Sequence, residues 1–208
     1  MKRSGLSGFI QLLVMALFVC ASAQGLDWHF PVGVSYLTQF RGEVGNLHES
    51  NQLAEGLERD PNFWPFGLSF QPYVEFDHGI GVGGCLGPPA FINVFDHDER
   101  SFSDIPIGLD LRYTPFYEGD FSPYVRAGMR YHLASGDYVD RSTPGAFTAV
   151  GLEIGRKGKV GLGLEASYDC SEIDIEEHKM PGPGGTLESP TIKKTKPHEL
   201  NVTIFVLL

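Results

Sequence analysis

The sequence predicts an all-β protein, an eight-stranded antiparallel up-and-down transmembrane β-barrel, and three observations predict it. Apolar and polar residues alternate with period two through segment after segment, which gives strands with one greasy and one polar face. The apolar parity carries no Asp, Glu, Lys or Arg in any of these segments. The connections alternate between tight turns and long polar excursions, the layout of barrels that cross a bacterial outer membrane.

The chain opens with Lys2 and Arg3, an apolar run from 6 to 19, and the small residues Ala21, Ser22 and Ala23. This is the pattern of a secretory signal peptide, cleaved near Ala23-Gln24, so 1–23 is set apart from a barrel domain spanning 24–208. Cys20 raises lipid attachment, which the bulky Phe18 and Val19 before it fit poorly. Removing Lys2 and Arg3 with the leader takes the formal charge from −10 to −12. So acidic a chain has no basic stripe to neutralise phosphates, which argues against nucleic-acid binding. No later apolar run approaches the roughly 20 residues of a membrane helix. Cys85 and Cys170 fall on non-neighbouring strands with opposite parity, so no disulfide is expected between them.

The first strand is expected over 28–40, with Trp28, Phe30, Val32, Val34, Tyr36, Thr38 and Phe40 on one face. A polar connection over 41–65 follows, with a short helical turn near 51–59. The second strand is 66–77, and Asp77-His78-Gly79 turns the chain tightly into a glycine-rich third strand, 80–92. Pro88-Pro89 interrupts that strand, because proline cannot donate to a ladder. The acidic stretch 95–100 leads to the fourth strand, 105–116, and a turn at 117–120 leads to the fifth, 121–133. A loop over 137–145 precedes the sixth strand, 146–155, and the turn at 156–159 opens the closing hairpin.

That hairpin is the most constrained element. Its arms read VGLGLEASYD (160–169) and HELNVTIFVLL (198–208). Pairing Val160 with Leu208 sets a register in which partner numbers sum to 368. Leu164 then meets Ile204, Tyr168 meets Leu200, Glu172 meets Lys196, Asp174 meets Lys194, and the chain folds over at Gly184. Apolar partners, opposite charges and turn glycines agree on one offset.

Alternation alone does not say which face points outward. A soluble barrel would hold its grease inside and show water a charged wall. Here the polar parity is mostly Gly, Ser, Thr, Ala and Tyr with isolated charges, which suits the crowded interior of an eight-stranded barrel. The uncharged parity suits hydrocarbon, where a midplane Arg or Lys costs about 2–4 kcal/mol. Aromatic residues gather at strand ends as two interfacial belts. Trp28, Phe76, Phe116, Tyr117 and Phe121 lie on the tight-turn side, and Phe40, Phe63, Trp64, Phe66 and Phe91 on the long-loop side.

Inside, Arg112, Arg126, Asp110 and Glu165 are expected at similar heights, with Glu75 and Glu153 nearer the tight turns. A buried guanidinium has to be paired, so these residues predict an ion-pair network centred on Arg126 between the fourth and sixth strands. The network plugs the barrel; a narrow ion path is the alternative. His132 and Ser135 raise an enzyme, since nucleophilic catalysis needs a hydroxyl held by an oriented base. No carboxylate is evident as the orienting group, so catalytic residues are expected to be none. His97 with Asp96 and Asp98 reads as a solvated acidic loop tip. Neither metal nor cofactor is expected.

The segments PYVRAGMRY, DIPIGLDLRYTPF and GLEASYD resemble the small OmpA-like or opacity-protein-like outer-membrane β-barrel family, over essentially the whole of 24–208. The resemblance implies an outer-membrane location, contact with outer-membrane lipid and lipopolysaccharide, and insertion by the barrel-assembly machinery. That machinery commonly reads a terminal aromatic, whereas this chain ends Phe205-Val206-Leu207-Leu208. A peptidoglycan-binding domain, which OmpA-like relatives carry after the barrel, is not expected here, since the sequence stops with the last strand. The implied role is structural or surface-interacting, in adhesion or envelope integrity, with the surface ligand unspecified. A lipid A-modifying enzyme is the alternative, and a narrow porin the next.

Overall fold

The computed structural model describes residues 26–38, 40–57, 62–93, 100–178 and 189–208. The expected leader, the His97 loop tip and the turn at Gly184 lie outside them. Eight staves close an all-antiparallel cylinder. The first is β1 (Asp27–His29) with β2 (Val32–Leu37). The second is β3 (Phe63–Trp64), β4 (Phe66–Phe70) and β5 (Tyr73–Glu75). The third is β6 (Ile80–Leu86) with β7 (Ala90–Ile92). Single long strands supply the rest: β8 (Phe102–Tyr113), β9 (Phe121–Gly136), β11 (Gly145–Ile154), β12 (Gly161–Asp169) and β15 (Leu200–Leu207). Between them, β10 (Val139–Thr143), β13 (Glu172–Glu177) and β14 (Thr191–Thr195) form a separate three-stranded sheet at the long-loop end.

The closing hairpin takes the expected register. Leu164 faces Ile204 and Tyr168 faces Leu200 in the barrel, and Asp174 faces Lys194 in the outer sheet. One offset therefore runs through both sheets. The cylinder closes where β15 pairs with β2, Ile204 beside Val34. Proline explains why the first two staves are broken. Pro31, Pro65 and Pro72 each sit at a gap between short strands, where a missing N–H costs no ladder bond.

Sidedness is as the alternation predicts. Leu111 and Ile204 are 64% and 65% exposed on the outer wall, while Arg126 on the inner parity is 4% exposed. Trp64, Phe66, Phe76, Phe116 and Phe121 stand out from the strand ends, with Trp28, Phe91 and Tyr117 half-buried beside them. Water would penalise such a wall, and a bilayer would not, so this is a transmembrane barrel. At the tight-turn end, His78 and Gly79 both take positive φ, 71° and 75°. A Cβ on Gly79 would meet the Thr114 carbonyl at 2.1 Å, so the turn requires glycine there.

Four expectations are corrected. Phe40 belongs to no belt: the chain leaves the barrel after β2, and Phe40 is fully buried beneath the long loops. The helical turn expected near 51–59 starts earlier, as a wide turn over Arg41–Gly45 running into α1 (Asn46–Ala54). Its buried positions include His48, Asn51 and Gln52, so no apolar period announces it. The loop at 137–145 contains β10, which pairs with β13. Finally, the third stave changes parity at Gly87-Pro88-Pro89: Leu86 faces out, but Ala90 and Ile92 face in. The prolines leave the ladder for one step, and the strand resumes turned over.

The apolar core therefore sits above the barrel rather than within it. Leu37, Phe40, Val44, Leu47, Ala90, Ile92, Phe102, Tyr138, Ile173 and Ile175 pack into one cluster that joins α1, the outer sheet and the upper barrel rim. Asn51 clamps this cap, donating to the Glu176 carbonyl and accepting from the His178 N–H.

Candidate functional site: the filled barrel interior

The lumen is occupied by three tiers of charged side chains. Nearest the tight turns, Arg156 lies 2.6 Å from Glu75 and 3.3 Å from Glu153. Arg112 reaches Glu153 at 2.8 Å, its guanidinium 4.2 Å from the Tyr73 ring and 3.4 Å from the Tyr124 ring. The Tyr73 hydroxyl also donates to Glu153. A cation between two rings and a carboxylate leaves little room for a through-path.

In the middle tier Arg126 on β9 lies 3.2 Å from Asp110 on β8 and 2.7 Å from Glu165 on β12. The Tyr124 hydroxyl donates to the other Glu165 oxygen at 2.8 Å. The structure thus places all six expected interior residues inside, but in two tiers. Arg112 belongs with Glu153 and Glu75, and Arg126 is tied to the fourth and seventh staves. Arg126 sits on the fifth stave, between the fourth and sixth as expected, and the Glu165 carboxylate reaches it from the seventh.

The upper tier contains residues that sequence reasoning did not single out. Arg130 lies 3.2 Å from Asp169, with its guanidinium 4.2 Å from the Phe147 ring. His132 Nδ1 lies 2.5 Å from Asp104 Oδ2, and His198 Nε2 lies 2.9 Å from that same oxygen. His132 Nε2 is 2.7 Å from Ser171 Oγ, and the Ser171 hydroxyl and N–H both donate to Asp169 Oδ1. His132 was already singled out, and parity places Arg130 with Arg126, so Arg130 was readable too; Asp104 lies one residue before the expected fourth strand, which in the structure starts at Phe102. Ser171 lies just beyond a strand end, where alternation gives no signal; His198 opens the expected arm 198–208 on the parity of Leu200, which points outward, but β15 starts only at Leu200 and His198 is buried. Ser135 is exposed on the opposite parity from His132, so Ser171 is the hydroxyl beside that imidazole.

Asp104, His132 and Ser171 have the connectivity of an oriented nucleophile. Their proton pattern differs. Asp169 accepts from the Ser171 N–H and hydroxyl and pairs with Arg130, so it acts as a carboxylate. The single Ser171 hydroxyl proton goes to it, and His132 Nε2 has to donate to Ser171 Oγ. An imidazole in that state takes no proton from the serine.

Among the described residues, four buried arginines (Arg112, Arg126, Arg130, Arg156) share the lumen with six buried carboxylates (Glu75, Asp104, Asp110, Glu153, Glu165, Asp169). Asp174, also buried, belongs to the cap, where Arg141 lies 2.7 Å away. Above the membrane, burial holds His48 below its usual imidazole range, opposed by its bond to the Arg100 carbonyl and by Asp137 and Glu55. Burial likewise pushes the Tyr138 phenol up, with Glu55 adding to it. Cys85 is buried and Cys170 exposed, and both are free thiols.

Closed staves, an uncharged outer wall and a charged, filled lumen define an eight-stranded outer-membrane-type barrel. No family model and no curated protein matches the sequence. Among solved structures, the outer membrane protein OprG from Pseudomonas aeruginosa is similar at 12% identity and a TM-score of 0.53, over 88% of this chain and 94% of that one. Neisserial surface protein A matches at 10% identity and a TM-score of 0.42, over 89% of this chain and 99% of that one. What OprG carries over to this chain is the fold.

Proposed function

We propose that this protein is a sealed outer-membrane barrel with a structural or surface-interaction role, in adhesion or envelope integrity, rather than a pore or an enzyme. The observation that carries this reading is the lumen, crossed by guanidinium–carboxylate pairs from β9 to β8 and β12 and blocked below by Arg112 between two tyrosine rings. A barrel of this strand number has room for side chains and none left for an aqueous channel. The cap supports the second half of the reading, because its own apolar core presents the β13–β14 hairpin as an ordered surface beyond the membrane. On this reading the wall contacts outer-membrane lipid, the cap meets lipopolysaccharide or a host surface, and the barrel-assembly machinery inserts the chain.

Planar-bilayer recording tests the seal: stable, large single-channel steps would overturn it. Deleting 172–196 tests the surface role. A heat-modifiable barrel that no longer supports adhesion is the expected outcome, and undiminished adhesion refutes it.

A lipid A-modifying hydrolase is a second reading, favoured by Ser171 Oγ lying 2.7 Å from His132 Nε2. Burial of all three residues and the Asp169-bound serine proton weigh against it. Lipid A mass analysis with wild type and Ser171→Ala separates the readings: a difference between the two supports the hydrolase, and identity removes it.

A further inference from the structure

We propose that Asp104, His132 and His198 form a site for one divalent transition-metal ion of the zinc class, buried between the barrel lumen and the cap. Their ligand atoms all lie within 4.8 Å of one another, and all three side chains are buried. Two imidazole nitrogens and one carboxylate oxygen are the donors such ions take, whereas calcium and magnesium prefer oxygen alone.

Two observations point to a cation there. The first is the outer contact of His132: its Nε2, the ring nitrogen away from Asp104, lies 2.7 Å from Ser171 Oγ, which Asp169 holds in turn, and such outer partners are usual around a ligating histidine. The second is the surroundings of Asp104: among the described residues its carboxylate bonds only to His132 and His198, while Arg130, the arginine of this tier, is engaged by Asp169 and the Phe147 ring.

The geometry needs modest opening. His132 and His198 nitrogens stand 2.5 and 2.9 Å from Asp104 Oδ2, while ligand atoms of a tetrahedral site are about 3.3 Å apart. Among the described residues, Asp104 Oδ1 and His198 Nδ1 have no hydrogen-bond partner that would resist this rotation. The bound ion ties β8, β9 and the turn preceding β15 together.

The test uses the full chain, unfolded in urea with EDTA, freed of chelator and refolded into detergent with Co²⁺. Heat-modifiable gel mobility scores the barrel separately from metal. The expected result is one Co²⁺ per folded barrel, with the intense visible bands of a four-coordinate site. Folded His198→Ala and Asp104→Asn should bind more weakly by over the ~100-fold that losing an outer-shell partner costs. Folded wild type without stoichiometric Co²⁺, or folded variants with unchanged bands, overturns the proposal. Should both variants fail to fold, X-ray absorption on zinc-loaded wild type decides: two imidazoles in the shell support the site, and fewer refute it.

Discussion

Replacing Arg126 with Met deletes the guanidinium that joins β9 to β8 and β12 and keeps most of the side-chain volume. Asp110 at 3.2 Å and Glu165 at 2.7 Å then lose their cation inside a lumen where all three side chains are buried. With an effective dielectric near 20, unit charges about 4 Å apart attract by about 4 kcal/mol. Breaking a buried pair by removing one partner costs about 3–5 kcal/mol, because the survivor stays buried and unpaired. Urea titration of the barrel in detergent, read by gel mobility and near-ultraviolet circular dichroism, should show a loss in that range. Adding Asp110→Asn and Glu165→Gln should restore most of it, since neutral groups carry no unpaired charge. A loss below about 1 kcal/mol, or no recovery in the triple variant, refutes the ion-pair reasoning.

Leu111→Arg puts a charge on the exposed outer wall and should cost about 2–4 kcal/mol in bilayer vesicles; an unchanged urea midpoint would place that face in water. Gly163 is packed under Phe205, whose ring a new Cβ would approach at 2.0 Å. Gly163→Ala should therefore lose about 1–3 kcal/mol alone but little in a Phe205→Ala background, and equal losses in both would contradict the packing. Burial holds the His48 imidazole below its ordinary value of 6.5, so the folded cap binds fewer protons there than the unfolded chain. His48's contribution is level above that value and falls as pH drops below it. Trypsin cleavage of the cap, scaled at each pH to cleavage of an unstructured peptide, should accordingly be faster at pH 5 than at pH 7.5 in wild type, with a smaller difference in His48→Gln.

The closing hairpin was legible in the sequence because parity, charge pairing and turn glycines all constrain one offset. Lipid-facing staves were legible for the same reason: a bilayer forbids charge on one parity, so Leu109, Val125 and Ile204 announce themselves. The cap was not. Its helix buries His48, Asn51 and Gln52, and β10 and β13 pair through polar sequences, so tertiary contacts supply what periodicity lacks. Phe40 was misplaced because alternation continues past Leu37 although the backbone has already turned helical. Arg126, Asp110 and Glu165 were readable from parity and height as one interior group, but the pairing of Arg112 with Glu153 in a lower tier depends on how the closed barrel brings non-adjacent staves together. Ser171 carries no signal because it lies just outside the strand that positions it, whereas alternation in the 198–208 arm points His198 outward and the turn before β15 buries it.

The sidedness of the wall is tested most directly by nitroxide scanning of β12 in lipid vesicles, with Cys85 and Cys170 replaced by serine and single cysteines introduced from 161 to 169. Labels at 162, 164, 166 and 168 should be relaxed by oxygen dissolved in hydrocarbon and protected from a water-soluble nickel chelate, while those at 163, 165 and 167 stay immobile. Chelate access at 162, 164 and 166 equal to that of an exposed loop site would contradict the account.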